Sequence, residues 1–436
     1  MSVLDDKISE SGHVDVLVVL KPEKRVRRDG RLSLDVAATQ DLQAGIARDL
    51  KSAFGTFAGS RETAIAREMR QEIAVKGPDP VAVAPNATAA PRAQAVRYFP
   101  HLGVMMGSVD QAGLDQIRRN DKEVAQVALA SAPGLIRPEV SLALAGEPPT
   151  GRSWGIERLK VPKLWDKGLT GKDILVGHID TGVDGKHPAL KHAVDAFAEF
   201  DRLGNQVTGA AAHDTGYHGT HTAGLIAGRA HKGLEFGVAP EASLASAIVI
   251  EGGRVEARIV AGLDWCVGQG ARIINISLGV PGYDPFFEAI ITVLRGRGIL
   301  PTIAIGNDGP MTSRSPGNYR SVLSVGAIDS FDQIWYRSSS EKFPAPGGYS
   351  KPDIIAPGAE VWSSFPNKGM QPLSGTSMAT PHIAGLAALL WQHRPEAKLA
   401  EIENAILKSA SRPAGIATNR GNRGVPDAVE ALKLLG

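Results

Sequence analysis

The sequence predicts an α/β protein with a doubly wound, mainly parallel sheet, preceded by a smaller α+β region. In the second part of the chain, short apolar runs of the kind found in buried parallel strands alternate with segments of helical spacing. The chain has 436 residues, an apolar fraction of 43% and 49 glycines. It is long enough for two or three domains, and it has the glycine needed for tight turns between strands and helices.

The predicted elements of this second part follow one another in alternation. Apolar runs predict strands at residues 173–180, 243–250, 272–278, 300–306, 321–328 and 353–356. Helical spacing predicts helices at 256–267, 285–295, 377–393 and 399–409. Because strands and helices alternate along the chain, we expect the strands to lie parallel in one sheet.

Residues 1–150 show a different pattern and predict a separate α+β domain, which leaves 151–436 as the second domain. Strands are expected at 14–20, 96–99, 103–109 and 124–129, and helices at 42–54 and 110–119, the latter capped by Asp110. Residues 70–95 are rich in Pro, Ala and Val, which is typical of a linker or loop.

A candidate nucleophile lies in the run Gly375-Thr376-Ser377-Met378-Ala379, just before the apolar stretch 383–390. At such a junction between strand and helix, the hydroxyl of Ser377 is exposed and its N–H lies at the positive end of a helix. Most serines in turns of this composition only cap helices. The assignment therefore depends on finding a base and a carboxylate elsewhere.

Asp180 and His218 are the candidates for those two partners. Asp180 ends an apolar run that predicts a buried parallel strand, at the sheet edge where α/β proteins bind ligands. His218 opens the run His218-Gly219-Thr220-His221, which predicts a loop entering a helix. A serine hydroxyl needs a histidine base, and the histidine needs a carboxylate to fix its tautomer.

Other readings of these residues remain open from the residues alone. Asp180 could be a cap or an ion-pair partner, and His221 competes with His218 as the base. His178, two residues before Asp180, is expected to have a structural or substrate-side role. A metal site at His213, Asp214, His218 and His221 is compatible with composition, but the H-E-x-x-H spacing of zinc hydrolases is missing.

The order Asp180, His218, Ser377, with the three motifs around them, resembles the subtilisin-like serine proteases (subtilases). The resemblance covers residues 154–436. It implies a doubly wound fold and a serine endopeptidase that acts on proteins or peptides through an acyl-enzyme. It also implies that His218, rather than His221, is the base.

The resemblance further implies the residues around the triad. Asn307, after the apolar run 299–306, would donate its side-chain amide to the oxyanion. Ser277, Leu278 and Gly279 would pair with the substrate backbone as an added strand. Arg314 would lie near the base of the first specificity pocket, where a guanidinium would favour acidic side chains before the cleaved bond.

Residues 1–150 resemble a subtilase propeptide in pattern. This implies an intramolecular inhibitor, with cleavage by Ser377 between 143 and 153, just before Trp154-Gly155-Ile156. An unrelated N-terminal domain that recruits a partner is the alternative. The basic patch at 21–31 is expected to be a solvated loop.

No cofactor is expected. Many subtilases hold calcium strongly with an acid nine residues after the catalytic Asp and a loop inserted after the catalytic His. Here Ala189 occupies the first position and 225–238 lacks an Asn/Asp-rich insertion, so we expect that site to be missing, with weaker sites left open.

The formal net charge of +2 gives no indication of nucleic-acid binding, and no apolar run is long enough to span a membrane. With one cysteine, Cys266, and no signal-peptide pattern, cytoplasmic residence is expected, with non-standard export as the alternative. Two other functions remain open: a catalytically silent peptide-binding protein and a transamidating, peptide-cyclising acyl transferase.

Overall fold

The computed structural model describes residues 3–21, 25–26, 32–33, 36–57, 96–131, 133–140, 146–201, 203–250, 255–344 and 347–436. The chain forms two compact units, Met1–Ala130 and Ser131–Gly436. Residues 131–150, which the sequence pattern grouped with the N-terminal region, thus belong to the second unit. None of the helices in these ranges is long and apolar enough to cross a membrane.

The first unit contains a four-stranded antiparallel sheet in the order β4-β5-β1-β6. The strands of the first unit, of which β2 and β3 pair separately from this sheet, are β1 (Val14–Leu20), β2 (Arg25–Val26), β3 (Leu32–Ser33), β4 (Val96–Phe99), β5 (Val104–Val109) and β6 (Val124–Leu129). Its helices are α1 (Val3–Ser11), α2 (Val36–Leu50) with the 3₁₀ turn Lys51–Phe57, and α3 (Gln111–Arg119).

Local sequence explains most of this unit. The apolar run of β1 buries nearly every side chain, and Asp110 caps α3 by accepting the N–H of Gly113 at 2.7 Å. The helix predicted at 42–54 begins earlier, at Val36, and ends in a 3₁₀ turn. The linker predicted at 70–95 lies outside the described residues. The propeptide role of this unit stays a prediction.

The second unit carries most of the secondary structure. Its strands are β7 (Gly134–Leu135), β8 (Glu139–Val140), β9 (Gly151–Arg152), β10 (Leu175–Asp180), β11 (Val194–Glu199), β12 (Leu234–Glu235), β13 (Ser243–Ile248), β14 (Ile273–Ile276), β15 (Leu278–Pro281), β16 (Leu300–Ala304), β17 (Arg314–Ser315), β18 (Leu323–Ile328), β19 (Glu341–Phe343), β20 (Tyr349–Lys351), β21 (Ile354–Pro357), β22 (Val361–Phe365) and β23 (Gly369–Ser374). Its helices are α4 (Trp154–Arg158), α5 (Pro162–Trp165), α6 (His218–Ala227), α7 (Glu256–Gly268), α8 (Glu288–Gly296), α9 (Thr376–His393), α10 (Leu399–Ser409), α11 (Thr418–Gly421) and α12 (Ala428–Leu435).

A seven-stranded, all-parallel sheet in the order β11-β13-β10-β14-β16-β18-β21 organises this unit. The chain leaves β10 toward β11 and β13 on one side and continues to β14 on the other. The strand order therefore reverses at β10, which confirms the predicted doubly wound α/β fold. Such a reversal opens a crevice at the carboxyl ends of the strands.

Helix α9 lies against this sheet and is almost entirely buried. It packs on β14, β16, β18 and β21, and its residues from Thr376 to Trp391 are buried. A helix that is apolar on every side is stable only inside a core. Its first turn is thereby fixed at the carboxyl edge of the sheet.

Two predicted elements differ in their boundaries. The strand predicted at 272–278 divides at Ser277, because β14 continues the parallel sheet while β15 turns away to form a separate small sheet with β7 and β17. The helix predicted at 285–295 begins with the 3₁₀ turn Pro285–Phe287, and α8 starts at Glu288.

Candidate active site

The three residues singled out as a triad lie on three elements that meet at the carboxyl edge of the parallel sheet. Asp180 is the last residue of β10, His218 is the first of α6, and Ser377 is the second of α9. Helices α6 and α9 pack against each other. Tyr217 and Met378, the chain neighbours of His218 and Ser377, contact the same apolar cluster.

Asp180 and His218 form a buried hydrogen-bonded pair. The Nδ1 of His218 lies 2.7 Å from Oδ1 and 3.0 Å from Oδ2 of Asp180. The backbone N–H of Thr181 donates to Oδ1 at 2.7 Å, and the hydroxyl of Thr222 donates to Oδ2 at 3.1 Å. These donors satisfy a carboxylate that is otherwise removed from water.

This arrangement holds Asp180 as an anion. Burial alone would raise the pKa of Asp180, but the charge and the hydrogen bond of His218 outweigh it, so the pKa lies below its usual value. An ionised Asp180 fixes the proton of His218 on Nδ1. Nε2 is then the basic nitrogen, and among the described residues it has no hydrogen-bond partner.

The other two nearby histidines are fixed by buried polar contacts of their own. The Nε2 of His221 contacts the carbonyl oxygens of Val361 at 3.1 Å and Gln371 at 3.0 Å, and burial lowers the pKa of His221 to about 3. His178 is fully buried between the hydroxyls of Ser246 and Thr222. His218 is therefore the histidine that the geometry pairs with Asp180 through a direct hydrogen bond.

The metal alternative has no support in the geometry. Both carboxylate oxygens of Asp214 accept hydrogen bonds, Oδ1 from the hydroxyl of Thr181 and Oδ2 from the backbone N–H and hydroxyl of Thr220. His221 bonds to backbone carbonyls instead of facing Asp214. Within the described ranges, no group of three or more His, Cys, Asp or Glu residues is arranged to hold an ion.

Asn307 lies beside Ser377 with its amide fixed in orientation. Its Oδ1 accepts the N–H and the hydroxyl of Thr376, each at 2.9 Å. Its Nδ2 therefore points away from Thr376 and donates to the carbonyl of Arg137 at 2.9 Å. An amide held in this way is a preorganised donor for an oxygen that gains negative charge.

An extended segment of the second unit occupies the groove next to Ser377. Leu135 and Gly134 pair with Leu278 and Gly279 as antiparallel strands, and the N–H of Ile136 donates to the carbonyl of Ser277 at 3.2 Å. The hydroxyl of Ser377 donates to the carbonyl of Ile136 at 2.8 Å. Ser277, Leu278 and Gly279 thus receive a peptide as an added strand.

Some residues of this segment are buried in the groove, and others face solvent. Ile136 is 1% exposed, and Pro133 is also buried, whereas Gly134 and Arg137 are exposed. Beyond the serine, Glu139 and Val140 pair with Ser374 and Leu373 of β23. Residues 133–140, called the groove segment below, therefore cross the site from one flanking strand to the other.

Arg314 lies in the wall of the groove but is paired with an acid of the same wall. Its Nε and Nη2 donate to the two carboxylate oxygens of Asp308 at 2.6 and 2.9 Å. This bidentate hydrogen bonding lowers the pKa of Asp308. Asp308 offsets the charge of the guanidinium, which weighs against an attraction of acidic substrate side chains by Arg314; the substrate preference itself stays a prediction.

The fold and these contacts define a class of protein, the α/β serine hydrolases with a carboxylate–imidazole pair next to a helix-borne serine. The model of the "Subtilase family" matches residues 171–429. The chain belongs to this family.

Several similar proteins are serine proteases. Subtilisin BL of Lederbergia lenta is 35% identical over 261 residues, which cover 59% of this chain and 91% of that protein. Subtilisin Savinase of the same organism has the same identity and coverage. The major intracellular serine protease of Bacillus subtilis (strain 168) is 35% identical over 261 residues, 57% of this chain and 79% of that protein. This chain is therefore a serine endopeptidase, and subtilases need no organic cofactor.

The position where subtilases often provide a calcium-binding acid does not suit an ion here. Ala189 belongs to an apolar cluster with Leu234, Phe236 and Met370. The carbonyl of Ala189 accepts the N–H of Arg229 at 3.0 Å. Calcium needs several oxygen ligands, with carboxylates foremost. The apolar packing around Ala189 supports the expectation that this strong calcium site is missing, which stays a prediction.

We expect the melting temperature to be the same in a calcium chelator and at micromolar free calcium, a concentration that fills strong sites and leaves weak ones empty. Differential scanning calorimetry of the intact chain tests this. A melting temperature that rises at micromolar calcium would reveal a strong site despite the cluster around Ala189.

Proposed function

We propose that this subtilase cleaves peptide bonds with Asp180, His218 and Ser377 as its triad. The observation that carries the proposal is the buried hydrogen bond of 2.7 Å between Nδ1 of His218 and Oδ1 of Asp180, which leaves Nε2 of His218 without a partner among the described residues. A segment bound as an added strand also brings a peptide carbonyl, that of Ile136, within 2.8 Å of the hydroxyl of Ser377.

The proposed chemistry is that of a serine, histidine and aspartate triad. The oxygen of Ser377 attacks the carbonyl carbon while Nε2 of His218 takes its proton, and Asp180 stabilises the imidazolium through Nδ1. The amide of Asn307 and the backbone N–H of Ser377 receive the oxyanion. His218 then returns the proton to the leaving amine, and water releases the acyl group by the same steps in reverse.

We expect wild type to convert a peptide into two fragments whose summed mass has gained one water, and Ser377→Ala to lose this activity about 10⁶-fold, the loss known for subtilisin itself. Mass spectrometry of the products and labelling with a fluorophosphonate test this. A silent peptide-binding protein would give neither product nor label. A transamidating enzyme would give products without the added water.

We also propose that the groove segment inhibits the enzyme from within the same chain. The support is that the two hydrogen-bond donors of the site contact two different carbonyl groups of the segment. The hydroxyl of Ser377 bonds to the carbonyl of Ile136, whereas the amide of Asn307 bonds to the next carbonyl, that of Arg137. Attack requires both groups to act on a single carbonyl.

Pro138, the next residue of the groove segment, also opposes cleavage of the segment. The peptide bond after Arg137 leads into Pro138, whose ring fixes the backbone and removes the N–H. Neither the bond after Ile136 nor the bond after Arg137 therefore meets the hydroxyl and the amide together. The segment is bound like a substrate and held out of register for cleavage.

The cleavage expected between 143 and 153 stays a proposal with one added condition. Gly151 and Arg152 pair with Leu234 and Glu235 in a separate small sheet, while the groove holds residues before 141. A cut in that window therefore requires release of the groove segment or attack by a second molecule. Processing would then depend on protein concentration.

We expect Ile136→Asp to raise the initial rate of hydrolysis of a fluorogenic peptide by about tenfold or more, because a buried carboxylate without partners opposes docking of the segment. Val140→Asp adds the same charge to the same segment at a residue that is 41% exposed, and we expect it to change the rate little. Equal rates for wild type and folded Ile136→Asp would rule out inhibition by this segment.

The same contacts predict which substrates are cleaved. We expect aliphatic side chains to be preferred close to the cleaved bond, because the groove buries Ile136 and Asp308 neutralises Arg314. Cleavage profiling of a peptide library checks this. Asp308→Asn should free the guanidinium and increase cleavage after Glu. Enrichment of acidic residues by the wild type would contradict the expectation.

A further inference from the structure

A chain of buried polar groups leads from the interior of the sheet to the carboxylate of Asp180. The hydroxyl of Ser246, on β13, lies 2.9 Å from Nδ1 of His178. Nε2 of His178 lies 2.8 Å from the hydroxyl of Thr222, which lies 3.1 Å from Oδ2 of Asp180. Ser246, His178 and Thr222 are each 0% exposed.

The number of protons available fixes the direction of these bonds. The hydroxyl of Thr222 has one hydrogen, and its possible acceptors are Asp180, Nε2 of His178 and the carbonyl oxygens of His218 and Gly219, both at 3.2 Å. If Nε2 carried no proton, it would compete with Asp180 for that hydrogen. A buried anion would then face an oxygen lone pair, which is costly.

The opposite tautomer satisfies every group. With the proton on Nε2, His178 donates to Thr222, and Thr222 donates its own hydrogen to Asp180. Nδ1 then accepts the hydroxyl hydrogen of Ser246. Each donor points toward the carboxylate, and hydrogen bonds aligned in one direction strengthen one another.

We propose that His178 is a positioning residue of the catalytic site, which acts through Thr222 to hold a directed hydrogen bond on Oδ2 of Asp180. This inference concerns the pair that the proposed mechanism uses. It requires only that the Asp180–His218 pair exist, and it does not require an open groove.

The surroundings keep His178 neutral in this role. Burial lowers the pKa of His178, although the carboxylates of Asp180 and Asp214 favour its charged form; His218 opposes that form. The thiol of Cys266, the other titratable group beside it, has its pKa raised by burial to about 12. A neutral His178 with its proton on Nε2 therefore serves as the donor to Thr222.

Removing His178 should make the carboxylate of Asp180 more basic. The hydroxyl of Thr222 would still donate to Asp180, but Nε2–H would no longer polarise it. The negative charge of Asp180 would then be less dispersed, and the imidazolium of His218 beside it would be favoured. The protonated form of His218 should therefore persist to higher pH, and the acid limb of the pH profile should move in the same direction.

The test follows the far-downfield proton resonance of Nδ1–H of His218 as a function of pH, in the full-length chain carrying Ser377→Ala. This readout needs neither activity nor access to the groove, so its outcome is independent of the proposed self-inhibition. We expect His178→Leu to raise the midpoint of this titration. His178→Gln, whose amide reaches the same place as Nε2–H, should restore it.

Two comparisons separate positioning from general support of the fold. His187→Leu removes a buried histidine that bonds to Gly369, away from Asp180, and should leave the midpoint unchanged. Thr222→Val should raise the midpoint, and adding His178→Leu to Thr222→Val should raise it no further, because His178 acts through Thr222.

An unchanged midpoint in folded His178→Leu would overturn the proposal, as would a further rise in the double variant. If His178→Leu does not fold, Ser246→Ala replaces it. That change frees Nδ1 to take the proton, so it should raise the midpoint in the same direction, and an unchanged midpoint would again overturn the proposal.

Discussion

The site depends on the solvation of one carboxylate by the protein alone. Asp180 is 1% exposed, and an anion without water must be paired and hydrogen-bonded or it will take up a proton. His218, Thr181 and Thr222 supply those bonds. The tautomer of His218, and hence the basicity of its outer nitrogen, follows from that solvation. The sheet, the helix α6 and the network behind Thr222 all serve to keep those donors in place.

The parallel sheet explains why groups so distant in sequence meet. Carboxyl ends of parallel strands lie at one edge, so β10, β14 and β16 bring Asp180, Ser277 and Asn307 to a common border. Helix α9 adds Ser377 from the face of the sheet. A peptide that enters between β15 and β23 meets backbone groups on both sides. Selectivity is then left to the few side chains that are buried on binding, such as Ile136.

The sequence predicted the parallel sheet and the position of Asp180 at its edge, because both depend on local pattern: apolar strands that alternate with helices, and an apolar strand that ends in an acid. The choice of His218 over His221 as the partner of Asp180 rested on the resemblance to the subtilases, since the residues alone left both histidines open. The sequence could not predict the partner of Arg314, since Asp308 and Arg314 meet only after the loop folds. The groove segment was missed for a similar reason. Its two-residue strands have no periodicity of their own and exist only because β15 and β23 offer them unpaired edges. The role of His178 was left open between structural and substrate-side, because Ser246 and Thr222 are distant in sequence and neither belongs to a motif.

The burial of α9 has a consequence for how the second unit unfolds. Local opening is easiest where few apolar contacts must be broken. The nucleophile instead begins a helix whose residues up to Trp391 are packed inside the core. Its amide hydrogens should therefore exchange with solvent only through cooperative opening of the whole second unit. Under thermal stress, most molecules would then be either completely folded or completely unfolded. Few would be folded elsewhere and disordered at Ser377.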